Sequence, residues 1–229
     1  VQQYHDLKIV YTPIHGTGVK LVPMALRAFG FTNIIPVPEQ EVVSGNFPTV
    51  ISPNPEEPAA MELAIAKARE VDADLVLATD PDADRIGVVV KNNHGRYVII
   101  NGNQTALLFI YYIIVKMKEN GVMKGNEFVV KTIVSTELIA EIARKNQVKI
   151  FDVYTGFKYI AEVIRDNEGI LKYIGGGEES FGFMPADYVR DKDAVSSCAL
   201  MAEIVAWAKS KGKSLFELLQ DIYLEYGFS

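Results

Sequence analysis

The residues best placed for chemistry are three aspartates. In Thr79-Asp80-Pro81-Asp82-Ala83-Asp84-Arg85 they stand at i, i+2 and i+4, directly after the apolar run Leu75-Val76-Leu77-Ala78. Side chains two apart in extended backbone share a face, so all three can converge on one point. Unpaired, such carboxylates repel at a cost on the order of several kcal/mol once partly buried. A divalent cation relieves that, and an all-oxygen donor set selects a hard ion such as Mg²⁺. Arg85 is placed to pair with a phosphate or to brace the loop. An EF-hand would need Gly at its sixth position and Glu at its twelfth, where this chain has Arg85 and Lys91. An aspartate-nucleophile phosphatase pattern also fits poorly, since Asp84 or Ile86 falls where Thr or Val is wanted. A solvated acidic turn is the bland alternative.

A second segment, Gly175-Gly176-Gly177-Glu178-Glu179-Ser180-Phe181-Gly182, follows another apolar run. It lacks the Gly-Lys-Ser/Thr of a phosphate loop and the spacing of a nucleophile elbow. Glu178 and Ser180, two apart in an extended loop, offer an acceptor and a donor–acceptor on one side, as vicinal sugar hydroxyls require. The alternative is a flexible surface turn. Thr155-Gly156-Phe157-Lys158 opens a predicted helix whose first amides suit an anion. Arg190-Asp191-Lys192-Asp193 offers a phosphate clamp or a proton-transfer lysine. Each of these basic groups alone reads equally as solvated surface. His5 and His94 read as surface residues, and His15 is left open in its glycine-rich turn. Gly16-Thr17-Gly18 lacks the third glycine of a dinucleotide fingerprint. Cys198 reads as a buried inert thiol, and Trp207, Phe109, Tyr111 and Tyr112 as core.

The elements that must position these residues alternate. Strands are expected at 7–11, 33–37, 75–78, 86–90 and 97–100, the last two joined by a turn at Asn92-Asn93-His94-Gly95. Helices are expected at 19–29, with Pro23 fitting only near its first turn, and at 58–70; residues 39–57 read as a long loop. A second round gives helices at 104–119, 135–146 and 157–167, and strands at 128–134, 149–153 and 171–174. Two helices close the chain, 194–210 and 215–226, the latter with Ser214 and Glu217 as a capping box. The fold class is α/β: two consecutive three-layer α/β/α domains with mixed or parallel sheets, residues 1–101 and 102–229.

Composition agrees with a globular protein: 229 residues, 49% hydrophobic and 23% charged, enough to close a core without staples. One cysteine excludes an internal disulfide and suits a reducing compartment. A net charge of −6 argues against a general nucleic-acid binder. The apolar run 106–115 is about half the length a bilayer needs. With no targeting signal in Val1-Gln2-Gln3-Tyr4-His5-Asp6, the expectation is a soluble, cytoplasmic protein that binds neither membrane nor nucleic acid.

Together the loops resemble the α-D-phosphohexomutase superfamily, the phosphoglucomutases and phosphomannomutases. The segment from Asp80 to Arg85 is similar to its metal-binding loop, and Glu178-Glu179-Ser180-Phe181-Gly182 to its sugar-binding loop. Arg190-Asp191-Lys192-Asp193 is similar to the basic segment after it, and Thr155-Gly156-Phe157-Lys158 to the turn that sets sugar orientation. The resemblance covers only the second and third of four family domains, the metal loop lying in the former and the sugar loop in the latter. The family's Ser-His-Asn phosphoserine segment and Arg-x-Ser-Gly-Thr phosphate loop do not occur. With the abrupt start at Val1 and the Tyr-Gly-Phe-Ser close, a fragment of a longer enzyme is expected.

The resemblance implies an isomerase, an intramolecular phosphotransferase of carbohydrate metabolism. Asp80, Asp82 and Asp84 would hold Mg²⁺, and Glu178 and Ser180 the sugar hydroxyls. Thr155, Gly156, Lys158 and Arg190 would join in substrate binding. Lys192 would serve proton transfer or charge stabilisation, and Arg85 would brace the metal loop. Sugar 1- and 6-phosphates would interconvert through a phosphoserine and a bisphosphorylated intermediate, with glucose 1,6-bisphosphate activating the whole enzyme. The Ser-Phe-Gly sugar loop points to glucose. A phosphomannomutase, a phosphopentomutase, or a non-catalytic metal-dependent module that binds sugar phosphates are the alternatives. The fragment alone is expected to be inactive, its partners being the phosphosugar and the domains it lacks.

Overall fold

The computed structural model describes residues 2–228, leaving Val1 and Ser229 outside the described residues. Two mixed sheets are built in succession. The first has the order β2-β1-β3-β4-β5, from β1 (Ile9–Thr12), β2 (Ile34–Pro36), β3 (Leu75–Thr79), β4 (Ile86–Lys91) and β5 (Tyr97–Ile100). Its β1, β2 and β3 run parallel, β4 runs antiparallel to β3, and β5 runs antiparallel to β4. β1 and β3 are buried along their whole length, which explains why they are apolar runs without alternation. The second sheet has the order β7-β6-β8-β9: β6 (Glu127–Thr132), β7 (Lys149–Val153), β8 (Lys172–Gly177) and β9 (Phe183–Met184), only β9 being antiparallel.

Helix α3 (Pro58–Val71) covers one face of the first sheet, burying Ala60, Met61, Ala64 and Ala68 against Val10, Val76 and Val89. The other face carries α1 (Gly18–Ala28) and α7 (Ala194–Ser210). In the second sheet α4 (Gly102–Glu119) packs on β8 and α5 (Leu138–Lys145) on β7, with α6 (Phe157–Asp166) on the opposite face. α8 (Leu215–Tyr226) lies against α7, α5 and β4. α7 buries residues all round, since it touches α1, α4 and both sheets. One apolar cluster therefore runs from Leu7 and Ile9 through α4 and α7 to Ile174 and Ile222.

The α/β/α expectation is met, and both capping boxes are formed: Asn101 with Gln104 on α4 and Ser214 with Glu217 on α8. Element ends shift by a few residues, and four differences bear on the architecture. The glycine run is strand, not loop: Gly175, Gly176 and Gly177 pair with Val129, Val130 and Lys131 of β6, and the last two also pair with β9, which the sequence did not suggest. A Cβ on Gly176 would come 2.7 Å from the Val130 carbonyl, so only glycine lets these strands close. Pro23 is the sixth residue of α1, past the first turn; burial of Val22 and Leu26 holds the helix despite the lost hydrogen bond. β6 stops at Thr132 and α5 starts at Leu138, the gap being a turn closed by the Ser135 amide on the Thr132 carbonyl. Within the expected loop 39–57, Pro38–Glu41 makes one helical turn, α2.

Candidate metal and sugar-phosphate site

The acidic loop leaves the C-terminal end of β3, where parallel strands expose their carboxyl ends. Asp80, Asp82 and Asp84 each present a carboxylate oxygen, all within 4.8 Å of one another. Ala83 adopts φ 61°, the left-handed turn that folds the segment back so that the three meet. Asp80 is buried; its Oδ1 accepts the amides of Asp84 (3.0 Å) and Arg85 (2.9 Å). Burial first, then the like charges of Asp84 and Asp82, push its carboxyl up to about 7 against the opposing Arg85 amide. Asp84 Oδ1 is buried without a hydrogen bond, with Arg85 Nε 3.9 Å away. An unpartnered oxygen, two neighbouring carboxylates and an elevated pKa all describe a site short of positive charge, and the all-oxygen donor set fits a hard divalent cation. A cavity of about 260 Å³ opens over the cluster, walled by Pro53 and Asn54.

Two cations flank it. Arg85 Nη1 is held by Glu56 at 2.9 Å, with its Nε 4.0 Å from Asp80. Lys192 Nζ lies 2.9 Å from Asp84 Oδ2 and 3.1 Å from Asp191, above the Phe157 ring. Burial works against its charge, but the bonds to Asp84 and Asp191 outweigh that and raise its pKa.

The sugar-type loop after β8 docks directly on the acidic loop. The Ile86 amide donates to the Phe181 carbonyl at 3.0 Å, Arg85 and Gly182 form a bridge, and the Ala194 amide donates to the Ala83 carbonyl at 3.1 Å. Glu178 is buried; its Oε1 accepts the Gly156 amide at 2.6 Å, and its Oε2 is 3.5 Å from the Ser180 hydroxyl. Gly156, with φ 125°, turns the chain into α6 and brings that amide to Glu178.

Asp80, Asp82, Asp84, Arg85 and Lys192 thus form one group, joined to Glu178, Ser180 and Gly156 through the docked loops. The remaining expected residues stand apart. Thr155 is exposed, Lys158 Nζ sits over the Tyr159 ring, and Arg190 pairs with Glu168 at 3.0 Å. Lys158 and Arg190 line a separate recess of about 500 Å³. A larger recess of about 690 Å³ beside α8, at Lys213, Gln220 and Phe228, contains none of the expected residues.

Sequence reasoning missed Glu56, Pro53 and Asn54, and it missed Lys131. That lysine, 1% exposed on β6, bonds Glu137 (2.8 Å) and Asp152 (2.9 Å), and the charge inside Phe128-Val129-Val130-Lys131-Thr132 was its signal. It also missed Glu179, whose carboxylate turns away from the site to take the Thr132 hydroxyl at 2.9 Å.

Residues 1–95 match the family described as phosphoglucomutase/phosphomannomutase, α/β/α domain II, and residues 101–226 match domain III. The phosphoglucomutase of Staphylococcus haemolyticus is 37% identical over 222 residues, 97% of this chain and 40% of that protein. A Thermus thermophilus structure assigned to the phosphomannomutases superposes with a TM-score of 0.81 at 23% identity, covering all of this chain and 48% of the other. An Aspergillus fumigatus N-acetylphosphoglucosamine mutase, solved with GlcNAc-6P and magnesium, gives 0.65 at 15% identity over 94% of this chain and 49% of its own. These two share the fold. The chain spans about 40% of the length of the curated relatives it matches.

Proposed function

This chain belongs to the phosphoglucomutase/phosphomannomutase family, whose second and third α/β/α domains it matches, and from that premise we propose that it is the central part of a Mg²⁺-dependent phosphohexomutase. Residues 1–101 would be its metal domain and 102–229 its sugar domain. The reaction is the interconversion of glucose 1-phosphate and glucose 6-phosphate in the cytoplasm. The observation that carries this reading is the direct docking of the acidic loop on the Glu178–Gly182 loop through the Phe181–Ile86 hydrogen bond. The GlcNAc-6P and magnesium in the Aspergillus fumigatus neighbour support it.

Asp80, Asp82 and Asp84 would hold Mg²⁺, which supplies charge neutralisation on the transferred phosphoryl group. Arg85, tied to Glu56, braces the loop that presents them. The Ser180 hydroxyl reaches Glu178 Oε2 only at 3.5 Å, a long bond that two sugar hydroxyls could replace. Both groups accept, and Ser180 also donates, so the pair can serve a sugar presented in either orientation. Lys192 Nζ, between Asp84 and the sugar loop, is placed to hold a phosphate oxygen or hand a proton to the reacting hydroxyl. Lys158 and Arg190, with the Thr155–Gly156 turn, would bind the substrate's charged end. The phosphoserine donor and the clamp for the distal phosphate would come from segments outside this chain.

A coupled assay with glucose 1-phosphate, glucose 1,6-bisphosphate and Mg²⁺ tests the reading. The intact protein should turn over, lose turnover on Asp82→Asn, and prefer glucose 1-phosphate to mannose or ribose phosphates. The 229-residue chain alone should be inert, because the Ser-His-Asn phosphoserine segment that the family's mechanism uses as donor does not occur in its sequence. Turnover by the chain alone, abolished by Asp82→Asn, would place the nucleophile within it. Tight binding of sugar phosphate by an intact protein that never isomerises it would favour a binding module.

A further inference from the structure

His15 is 1% exposed, sits in left-handed backbone (φ 63°), and belongs to none of the groups assigned above. Its Nδ1 lies 2.8 Å from the Val42 carbonyl and its Nε2 2.8 Å from Thr49 Oγ1. A carbonyl only accepts, so Nδ1 carries the proton and Nε2 is the accepting end of that tautomer. Thr49 then donates its hydroxyl proton to Nε2 and accepts from the buried Gln40 amide at 3.2 Å. Gln40 Oε1 in turn takes the Thr12 hydroxyl at 2.6 Å. The chain of bonds from Thr12 to Val42 has a single direction. A further bond, from the Ser44 amide to the His15 carbonyl, pins the same segment.

Residues 42–53 contribute no fully buried side chain; Val50 packs partly on the Val10–Met61 cluster, and the polar bonds above tie the rest of the segment down. Its far end forms the roof of the acidic site. Pro53 and Asn54 wall the cavity, Pro55 packs on Gly87 at the start of β4, and Glu56 holds Arg85. On its other side the His15 turn supports the acidic loop itself. Thr17 donates its amide (2.8 Å) and its hydroxyl (3.0 Å) to the Pro81 carbonyl, and a Cβ on Gly16 would come 2.5 Å from Pro81 Cα.

We infer that His15 is a positioning residue, a latch that fixes residues 42–57 over Asp80, Asp82 and Asp84 and so sets the geometry of the acidic loop. The consequence for metal affinity rests on the Mg²⁺ reading above; the consequence for loop geometry does not.

The test uses the 229-residue chain with Thr49→Val, His15→Asn and the conservative Thr49→Ser. Thr49 is exposed, so its substitution leaves the core untouched, and Asn tolerates the left-handed conformation at 15. Hydrogen exchange is read over residues 42–57 and at the Asp84, Arg85 and Ile86 amides, followed by calorimetric titration with Mg²⁺. Thr49→Val and His15→Asn should speed exchange in both places about tenfold and weaken Mg²⁺ binding about fivefold, while Thr49→Ser behaves as wild type. Exchange that rises only in 42–57, or in neither place, overturns the inference. A wild-type chain that takes up no Mg²⁺ while the exchange results hold would overturn the metal reading and leave the latch standing.

Discussion

Asp80 gives the sharpest quantitative expectation, because its environment penalises the charge it must carry to bind a cation. Its carboxyl is pushed from an ordinary 3.8 to about 7 by burial and by Asp84 and Asp82. A raised carboxyl pKa in the folded state means the native protein binds that proton more tightly than the unfolded chain. The group therefore costs nothing below about pH 4, and stability falls as pH rises, levelling off above 7. The full penalty is about 4 kcal/mol at roughly 1.4 kcal/mol per pH unit, of which about 2 kcal/mol falls between pH 5.5 and 8.5. For a chain of this length that is about 4–8 °C in Tm. The measurement is urea or thermal unfolding of the chain in EDTA across that range, beside Asp80→Asn, whose side-chain oxygen still accepts the Asp84 and Arg85 amides. Wild type should lose stability towards pH 8.5 relative to the variant, and added Mg²⁺ should restore more of it at pH 8.5 than at 5.5. Parallel pH profiles for the two proteins in EDTA would refute the claim that burial and clustered charge govern this loop.

Lys192→Met removes the 2.9 Å partner of Asp84 and should cost about 1–3 kcal/mol in metal-free unfolding, a deficit that saturating Mg²⁺ narrows. Gly102→Ala would drive a Cβ into the Glu179 carbonyl oxygen, so melting should fall by about 4–8 °C, corresponding to about 2 kcal/mol of overpacking, as the sugar loop is displaced. In the intact enzyme Glu178→Ala and Ser180→Ala should each lower kcat/KM by the loss of about 1–3 kcal/mol, roughly 5- to 150-fold, with circular dichroism unchanged.

The contiguous parts of the site were legible in the sequence because their chemistry is written in local spacing. Asp80, Asp82 and Asp84 are two apart and follow an apolar strand, and Glu178 and Ser180 repeat the arrangement. Neither required knowledge of what lies opposite. What spacing could not reveal depends on partners far along the chain. Glu56 reaches Arg85 across 29 residues, and β8 extends through three glycines because β6 on one side and the two-residue β9 on the other pair with them. The same holds for α7. An Ala-rich helix apolar on every side announces burial between layers, yet nothing in residues 194–210 says that one of those layers is the first sheet. That packing has a functional corollary. The apolar cluster is continuous through α7, two backbone contacts tie the loops, Ile86 to Phe181 and Arg85 to Gly182, and the Ala194 amide ties the start of α7 to Ala83. A hinge between acidic and sugar loops would have to break those bonds and open that core together. The two loops therefore act as one rigid wall within these residues.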